Sequence, residues 1–288
     1  TRHDLPAHRP GEVRTICTLP EKISHLTWSP DGTRLAFITR TRHERYDAND
    51  VRSQSPRKVE RFFSRLNGEN WVFDRPAHVY VVRADGTGSP ENLTPGEFHH
   101  SGISWLADSS GVITSAARHD TWDTDLAVDL HRVDLDGTVT ALTQQTGAYH
   151  DPAVSPDGSL IAFAGIDEPL LYPQNVRIGV MHLDGSVRRW ISVGLDRTFQ
   201  CVSCPQPPIW IDDQVMYAAT EDRGTVHLHR LTTDGSTPER VTDGAATVTG
   251  FDVQSGVFVF TQSAVSHTAE LHVVRDGAPE QLTRVGMD

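Results

Sequence analysis

Short apolar runs separated by turn residues recur along the whole chain and predict antiparallel β-structure. Between Trp28 and Phe37, Ser29 and Pro30 suit the first two positions of a type I turn, and Gly32 suits the left-handed position that follows. The flanking residues are apolar, so this stretch predicts a β-hairpin. No segment carries the 3.6-residue apolar period that an amphipathic helix of about 11 residues would need.

The hairpin belongs to a longer sequence motif, or phrase, that occurs five times along the chain. Asp-Gly pairs follow apolar runs at Asp85-Gly86, Asp136-Gly137, Asp184-Gly185, Asp234-Gly235 and Asp276-Gly277, with spacings of 51, 48, 50 and 42 residues. A second marker trails each pair, at Leu93-Thr94, Leu142-Thr143, Val241-Thr242 and Leu282-Thr283, with Trp190-Ile191 in the third copy. A large apolar residue leads each copy, at Trp28, Trp105, Val154, Trp210 and Phe251.

Each copy divides into four short strands, which is typical of a β-propeller blade. Middle strands such as 79–82 and 257–260 are apolar at consecutive positions, as expected where neighbouring blades cover both faces of a sheet. The chain is therefore predicted to be all-β, a β-propeller of four-stranded antiparallel blades. A β-sandwich or an array of unrelated hairpins is the alternative, but neither explains a long repeated phrase. The predicted blades are 23–94, 95–143, 144–191, 192–242 and 243–283.

Two turns differ from the repeated sequence, and the two ends of the chain do not carry matching numbers of strands. Ser109 stands where a glycine is expected in the second copy, and the fourth copy has 211–214 with no glycine, so both hairpins are expected to be less regular. Residues 1–22 are interpreted as the end of a preceding blade or a linker. Because the fifth copy already has its own fourth strand, we expect that the chain was cut from a longer one.

Composition narrows the possible partners. The 288 residues carry a net charge of −12 and a pI of about 5.6, which disfavours nucleic acid and anionic lipid. No apolar run approaches the roughly 20 residues that span a bilayer, so no membrane association is expected. Three cysteines are too few for a disulfide scaffold, and no secretory signal is visible, which favours a cytoplasmic location.

The first copy contains a long insertion, 39–77, that is basic early and aromatic late. Phe37 and Val79 are 42 positions apart, whereas the corresponding residues of the third copy are 15 apart. Arg61, Arg65 and Trp71 are the candidate substrate-binding or gating residues, because arginine recognises carboxylates with two parallel hydrogen bonds. The alternative is a solvated loop that folds over the rim of the propeller.

Other motifs give weaker indications of chemistry. Cys201 and Cys204 lack further zinc ligands and a following helix, so they are interpreted as incidental thiols. The pair 99–100 and the loop 119–125 could suggest a metal, but the loop lacks the glycine and glutamate of a calcium site. We predict no metal and no cofactor. No G-x-S-x-G occurs, and no catalytic residue is predicted.

The motifs together resemble the N-terminal β-propeller domain of the prolyl oligopeptidase family of serine peptidases, in particular its acylaminoacyl-peptidase branch. The resemblance runs from about Ile23 to the end of the chain. Four parts of the sequence carry it. They are the hairpin 28–37, the end of the insertion (65–71) together with the strand that follows it (78–82), the Leu-Thr endings, and residues 154–158. TolB-type propellers share the repeat phrase, and the long insertion favours the peptidase.

The resemblance implies a propeller of seven or eight blades followed by an α/β-hydrolase domain, which would begin after Asp288. It implies that the propeller itself is not catalytic, that it restricts entry to short peptides, and that the full protein forms homo-oligomers. Whether the chain counts as an enzyme depends on that domain. A TolB-like protein-binding scaffold is the second hypothesis, and a propeller enzyme with a central metal is the third.

Overall fold

The structure, a computed structural model, describes residues 2–6, 13–46, 52, 54–171, 173–254, 256–275 and 278–286. The chain forms two compact units, residues 1–150 and 151–288. The strands that begin in the first unit are β1 (Arg2–Pro6), β2 (Val13–Thr18), β3 (Ile23–Trp28), β4 (Arg34–Arg40), β5 (Arg65–Leu66), β6 (Asn70–Trp71), β7 (Ala77–Arg83), β8 (Glu91–Asn92), β9 (His100–Trp105), β10 (Gly111–Ala116), β11 (Asp129–Asp134), β12 (Val139–Ala141) and β13 (Gly147–Val154), with a 3₁₀ turn at Glu44–Tyr46.

The second unit contains the remaining strands. They are β14 (Leu160–Asp167), β15 (Arg177–His182), β16 (Arg189–Trp190), β17 (Ile209–Trp210), β18 (Val215–Asp222), β19 (Thr225–Thr232), β20 (Glu239–Arg240), β21 (Ala246–Gln254), β22 (Val257–Ala264), β23 (His267–Arg275) and β24 (Ala278–Gln281). The boundary between the units falls within β13.

Within the described ranges, the strands form five antiparallel four-stranded meanders, as predicted. In the first unit, β3-β4-β7-β8 form the first blade and β9-β10-β11-β12 the second. In the second unit, the third blade is β13-β14-β15-β16, and β17 to β20 and β21 to β24 form the fourth and fifth, joined by a parallel contact between β19 and β21. A separate two-stranded sheet, β1-β2, precedes the first blade. The fifth Asp-Gly pair, Asp276-Gly277, lies outside the described residues.

Stacking of blades explains why the middle strands are apolar at consecutive positions. Along β4, Ala36 and Ile38 pack with Trp105 and Val112 of the second blade. The intervening residues, such as Phe37, point to the opposite face, where residues 16–19 cover them. In the second unit, Val226 and Leu228 of the fourth blade likewise pack against the fifth. Each middle strand therefore has two buried faces.

The Ser-Pro-Asp-Gly turn has the geometry expected from its sequence. The Ser29 amide donates to the carbonyl of Arg34, and the Gly32 amide donates back to Ser29. Asp31 accepts hydrogen bonds from the Thr33 amide and hydroxyl, which fixes the corner. Gly32 adopts φ 68°, a left-handed conformation that glycine occupies without steric cost.

The expectation of an irregular second turn is wrong, whereas the fourth turn does differ. The second copy repeats both backbone bonds, from Leu106 to Gly111 and from Ser109 to Leu106, because Ser109 itself adopts φ 61°. Its hydroxyl accepts a hydrogen bond from the Asp31 amide. In the fourth copy Ile211 pairs with Val215, which makes that turn one residue shorter.

The trailing Leu-Thr marker closes every blade by the same pair of hydrogen bonds. Its apolar residue donates a backbone bond to the third strand, and its hydroxyl accepts the amide of the same third-strand residue. The hydroxyl bonds run from Val79 to Thr94, Leu130 to Thr143, Ile178 to Ser192, Leu228 to Thr242 and Leu271 to Thr283, at 2.9–3.1 Å. We call this pair of bonds the blade latch. The marker in the third copy is therefore Ile191-Ser192, and the assignment to Trp190-Ile191 was wrong by one residue.

The leading tryptophans join neighbouring blades. The Trp105 indole donates to the carbonyl of Thr27 at 3.4 Å, and the Trp210 indole donates to the equivalent carbonyl, Ala153, at 2.8 Å. Trp105 is only 6% exposed, whereas Trp28, on the first blade, is 51% exposed. The marker thus acts at the blade junction and not within its own hairpin.

Val187→Gly is expected to raise the free energy of unfolding by about 0.5–1 kcal/mol, because a β-branched residue is strained in the left-handed region. Val187 adopts φ 53° and is 59% exposed, and the same turn position in the first blade is Gly88. Urea unfolding measures the gain. Val193→Gly removes an equally exposed valine with no positive φ. A gain of the same size in that control would contradict the explanation.

Candidate functional site

The meander separates short turns from long loops at opposite ends of each blade. The two short turns of one blade contact each other, for example through the Ala84 amide and the Thr33 carbonyl. The other end carries the insertion in the first blade and residues 117–128 in the second. We call this the long-loop end of the first unit. The predicted candidate residues lie there.

Arg61 clamps the insertion to the second blade. Its guanidinium donates to a Glu97 carboxylate oxygen at 2.9 Å and to the Asp120 carbonyl at 3.1 Å. The Asp123 carboxylate lies 4.0 Å away, and the same carboxylate accepts the Phe62 amide at 2.6 Å. Glu97 is the chief cause of a raised pKa at Arg61. These partners occupy the Arg61 guanidinium, which the sequence predicts as a substrate-binding or gating group.

Aromatic side chains next to Arg61 also hold the insertion against the second blade. Phe63 meets the His99 and Trp122 rings edge to face, with centroids 5.9 Å and 6.2 Å away, and His99 lies 5.7 Å from Trp122. The Arg61 guanidinium also lies over the Trp122 ring at 5.8 Å. The insertion is thus fixed to the second blade by both charge and apolar contact.

Arg61→Ala is expected to open the insertion locally, since the side chain joins it to two acidic residues and a carbonyl of the second blade. Thermolysin cleavage within 54–64 should become several-fold faster while the unfolding midpoint changes little. Lys58→Ala is the matched control, because among the described residues Lys58 pairs only with Glu60, and both are well exposed. Equal cleavage rates in the two variants would show that Arg61 does not hold the insertion.

Trp71 and Arg65 meet, as their spacing in the insertion allows. The Arg57 and Arg65 guanidinium carbons each lie 5.7 Å from the Trp71 ring centroid. Arg57 is also bound to the buried Asp74 carboxylate at 2.8 Å. Arg65 is exposed, and among the described residues it forms no ion pair. Arg65 therefore offers a free guanidinium stacked on an aromatic face.

A chain of ion pairs, not recognised from the sequence, joins the insertion to the first blade. Arg75 donates to both Glu21 carboxylate oxygens, and Arg40 donates to Glu69 through two nitrogens. Arg75 also donates to the Glu69 and Trp71 carbonyls. Hydrogen bonds from arginine lower the pKa of Glu21 despite its partial burial. The acids and bases of this chain largely satisfy one another.

Two cavities open at the long-loop end. The strand-end cavity, about 540 Å³, is lined by Glu21, Lys22, Ile23, Ser24, His25, Ile38, Thr39, Arg40, Gly68, Glu69, Arg75, Ala77, His100 and Ser101. The loop cavity, about 490 Å³, is lined by His43, Arg45, Lys58, Glu60, Arg61, Phe73, Asp74, Glu97 and Trp122. Both volumes fall in the range of small-molecule sites.

Four largely buried histidines lie at the long-loop end of the first unit, and one of them, His100, lines the strand-end cavity. Burial lowers the pKa of His99 to about 4, with a further contribution from the Arg40 charge. Burial also lowers the pKa of His100 well below its usual range, and the Arg118 charge acts in the same direction. His78 and His131 have pKa values lowered mainly by burial. All four rings are therefore neutral at pH 7.

The remaining sequence candidates have structural partners. His119 donates to the Asp125 carboxylate, which also accepts from Thr121 and from the Ala127 amide. Burial raises the pKa of the Cys201 thiol to about 12 and of the Cys204 thiol to about 11, so both are unreactive at neutral pH. In the described part of the chain, no group of three or more metal-ligating side chains occurs.

The repeated four-stranded meanders, the blade latch and the stacked apolar faces define a β-propeller fold. No family model and no curated protein sequence matches the chain. Solved structures do share its fold. The acylaminoacyl peptidase of Pyrococcus horikoshii matches with a TM-score of 0.71 and 17% identity over 95% of this chain and 40% of that one.

Two further structures match over most of their own length. The β-propeller domain of the Trilobed protease from Pyrococcus furiosus gives a TM-score of 0.62 at 16% identity, covering 95% of this chain and 70% of that one. A putative TolB from Agrobacterium tumefaciens gives 0.59 at 17% identity, covering 94% and 83%. The fold is thus that of peptidase-associated and TolB-like propellers, and the chain spans about 40% of the acylaminoacyl peptidase.

Proposed function

We propose that the chain is the non-catalytic, substrate-gating propeller of a serine peptidase that cleaves short peptides, of the acylaminoacyl-peptidase or prolyl-oligopeptidase type. The observation that carries the proposal is the insertion, which Arg61 and the ion pairs of Arg40 and Arg75 fix across the long-loop end of the first unit. A fixed cover of this kind excludes folded chains by size. The likeness to peptidase propellers supports the same function.

The coding sequence beyond Asp288 tests this proposal. A G-x-S-x-G motif at a strand-to-helix turn, followed by an acid and a histidine, is the expected result. Its absence from the downstream sequence would refute the peptidase assignment.

Activity of the chain by itself gives a second test. Purified residues 1–288 should not turn over an acyl-aminoacyl chromogenic substrate, because no nucleophile with an adjacent base is predicted in the chain. Turnover that survives further purification would contradict a purely gating role.

Arg65 and Trp71 are the proposed gating residues, and Arg61 holds the cover in place. In the complete peptidase, Trp71→Ala should raise kcat/KM for longer peptides relative to dipeptides, because it removes the ring on which Arg57 and Arg65 stack. Arg223→Ala, an exposed arginine of the second unit, is the control. An unchanged length preference in Trp71→Ala would remove these residues from the gate.

The partners follow from the same proposal. Short peptides would reach the hydrolase domain past the insertion, and the full protein would form a homo-oligomer in the cytoplasm, without nucleic acid or membrane. The three cysteines are free thiols, as a reducing compartment favours. Among the described residues, no helix has the length and apolar character required to cross a bilayer. Light scattering of the full protein tests the oligomeric state, and cell fractionation tests the location.

A TolB-like scaffold is the second candidate, favoured by one observation: the chain covers 83% of a putative TolB but only 40% of the acylaminoacyl peptidase. This function predicts that the gene encodes a secretory signal and no hydrolase domain. It also predicts a defined protein partner that binds residues 1–288. The coding sequence on both sides therefore separates the two candidates.

A further inference from the structure

The β5–β6 hairpin of the insertion carries the one Asn-Gly pair in the sequence, Asn67-Gly68. Asparagine followed by glycine can rearrange without an enzyme, because the amide nitrogen of the glycine can attack the asparagine side chain and no Cβ obstructs its approach. A folded chain prevents this reaction where hydrogen bonds hold the reacting groups. The contacts of residues 67 and 68 therefore decide whether the pair is reactive.

Neither reacting group of this pair is held by a hydrogen bond. The turn is closed by the Glu69 amide, which donates to the Leu66 carbonyl at 3.2 Å, whereas the Gly68 amide has no acceptor among the described residues. The Asn67 side chain is exposed, and within the same ranges it forms no hydrogen bond. Gly68 adopts φ 82°, and nothing lies within 4 Å of the position that its Cβ would take. The nitrogen can therefore approach the side chain.

Asp-Gly pairs can undergo the same ring closure, but the turns of the blades hold both of their reacting groups. In the first turn the Gly32 amide donates to the Ser29 carbonyl at 2.9 Å, and the Asp31 carboxylate accepts the Thr33 amide at 2.9 Å. The same two bonds recur in the turns at Asp85-Gly86, Asp136-Gly137, Asp157-Gly158, Asp184-Gly185 and Asp234-Gly235. In these turns the fold opposes the reaction.

Ionisation gives the aspartates a second protection. Hydrogen bonds from neighbouring turn residues lower the pKa of Asp31 and Asp157, and they lower the pKa of Asp234 to about 2. Ring closure on an aspartate needs the neutral acid, because an ionised carboxylate resists attack by a nitrogen. Asp243-Gly244 lies outside these turns, and its carboxylate is paired with Arg240 at 3.1 Å. An asparagine side chain is neutral and needs no proton before it is attacked.

The other described asparagines each lack one requirement of the reaction. Asn92 is bonded through both its side-chain nitrogen and its oxygen, and Asn175 donates to a carboxylate. Asn70 is exposed, but it is followed by Trp71, whose side chain hinders the approach of the next amide nitrogen. Asn49 lies outside the described residues. Asn70 is therefore a control within the same hairpin.

We propose that Asn67 is a modification site, at which spontaneous deamidation introduces isoaspartate into the β5–β6 hairpin. The Gly68 nitrogen forms a bond to Asn67 Cγ, the side-chain nitrogen leaves as ammonia with the proton of the Gly68 amide, and a succinimide ring remains. Water then opens the ring. Cleavage at Cγ gives aspartate, and cleavage of the original peptide bond gives isoaspartate. The net reaction consumes one water molecule and releases one ammonia.

The product changes the hairpin that carries Arg65 and Trp71. It adds a carboxylate two residues from Arg65, and isoaspartate also inserts one extra carbon atom into the backbone. The hairpin pairs Arg65 with Trp71 and Leu66 with Asn70, so a longer turn disturbs a very short ladder. The free α-carboxylate of isoaspartate is the group that an isoaspartyl-repair methyltransferase methylates. An effect on peptide selection rests on the proposed function, whereas the reaction itself does not.

Peptide mapping of residues 1–288, kept at neutral pH in H₂¹⁸O, tests the site. Tandem mass spectrometry of the tryptic peptide that begins at Leu66 should show ¹⁸O at Asn67 at least about tenfold faster than at Asn70, because only Asn67 is followed by glycine. Methylation by an isoaspartyl methyltransferase should label the same peptide. Asn67→Gln should abolish the label, because glutamine closes the larger ring slowly, and Asn70→Gln should leave it unchanged.

The chain unfolded in guanidinium chloride tests the role of the fold. Unfolding should raise isoaspartate formation at Asp31 and Asp157 at least about tenfold, and it should change the Asn67 rate by less than about threefold. A tenfold rise at Asn67 would show that the native turn protects it and would overturn the proposal. Equal rates at Asn67 and Asn70 in the folded chain would do the same. None of these results depends on a hydrolase domain, so this site and the gating proposal can fail independently.

Discussion

Phe163→Ala is expected to lower the free energy of unfolding by about 3–5 kcal/mol, because the ring is fully buried and its removal leaves a cavity. Phe163 on β14 pairs with Gly179 on β15, which in turn pairs with Trp190 on β16. The two aromatic rings lie 5.4 Å apart across the glycine. Urea unfolding followed by circular dichroism measures the loss.

The same contact predicts strong coupling between positions 163 and 179. A Cβ on Gly179 would lie 2.5 Å from the Phe163 ring and 3.0 Å from Trp190, so Gly179→Ala should cost about 1–3 kcal/mol by itself. In the Phe163→Ala background the new methyl group enters the vacated space and should cost much less. A double-mutant cycle measures this coupling, and strictly additive losses would contradict the packing explanation.

Acidification from pH 7 to pH 5 is expected to destabilise the protein through its buried histidines. In the unfolded chain a histidine takes up a proton near pH 6.5, but the folded His99 does so only near pH 4. The unfolded state therefore binds more protons in this window, and stability falls as the pH falls. His99 alone accounts for about 2 kcal/mol by pH 5, and His78, His100 and His131 act in the same direction.

The pH experiment needs a variant that removes one titrating group. His99→Gln keeps an acceptor for Arg40 and the Ala77 amide but removes the titration, so the difference in unfolding free energy between pH 7 and pH 5 should shrink by about 2 kcal/mol. His182→Asn changes an exposed histidine and serves as the control. Staying above pH 5 limits the contribution of the turn aspartates. The same pH difference in all three proteins would contradict the assignment.

Much of the fold could be predicted because the turns and the latch of each blade are formed by short motifs of neighbouring residues. Trp28 to Phe37 specifies a hairpin through residues that are adjacent in the chain. The error at Ile191-Ser192 arose because the blade latch needs a hydroxyl acceptor, which serine supplies as well as threonine. The irregularity expected at Ser109 was wrong because Ser109 takes the left-handed conformation itself and its hydroxyl accepts the Asp31 amide.

The candidate site was less predictable because its contacts join distant residues. The insertion was recognised, but Arg61 meets Glu97 and Asp120, 36 and 59 positions away. No local pattern indicates which arginine will find an acid and which, like Arg65, will have no ion pair among the described residues. His100 was noted only as a metal candidate, and the sequence contained no sign that Arg118 would donate a hydrogen bond to its Nε2.

The blade latch also bears on how such a chain can change in evolution. Because the latch closes each blade with groups from that blade alone, the closure of one blade does not depend on the blade that follows it. Unequal recombination in the segments between blades would add or delete one complete blade and leave the latch of every other blade intact. Propellers of different blade number can therefore arise from one repeat, without any intermediate that has an unclosed blade.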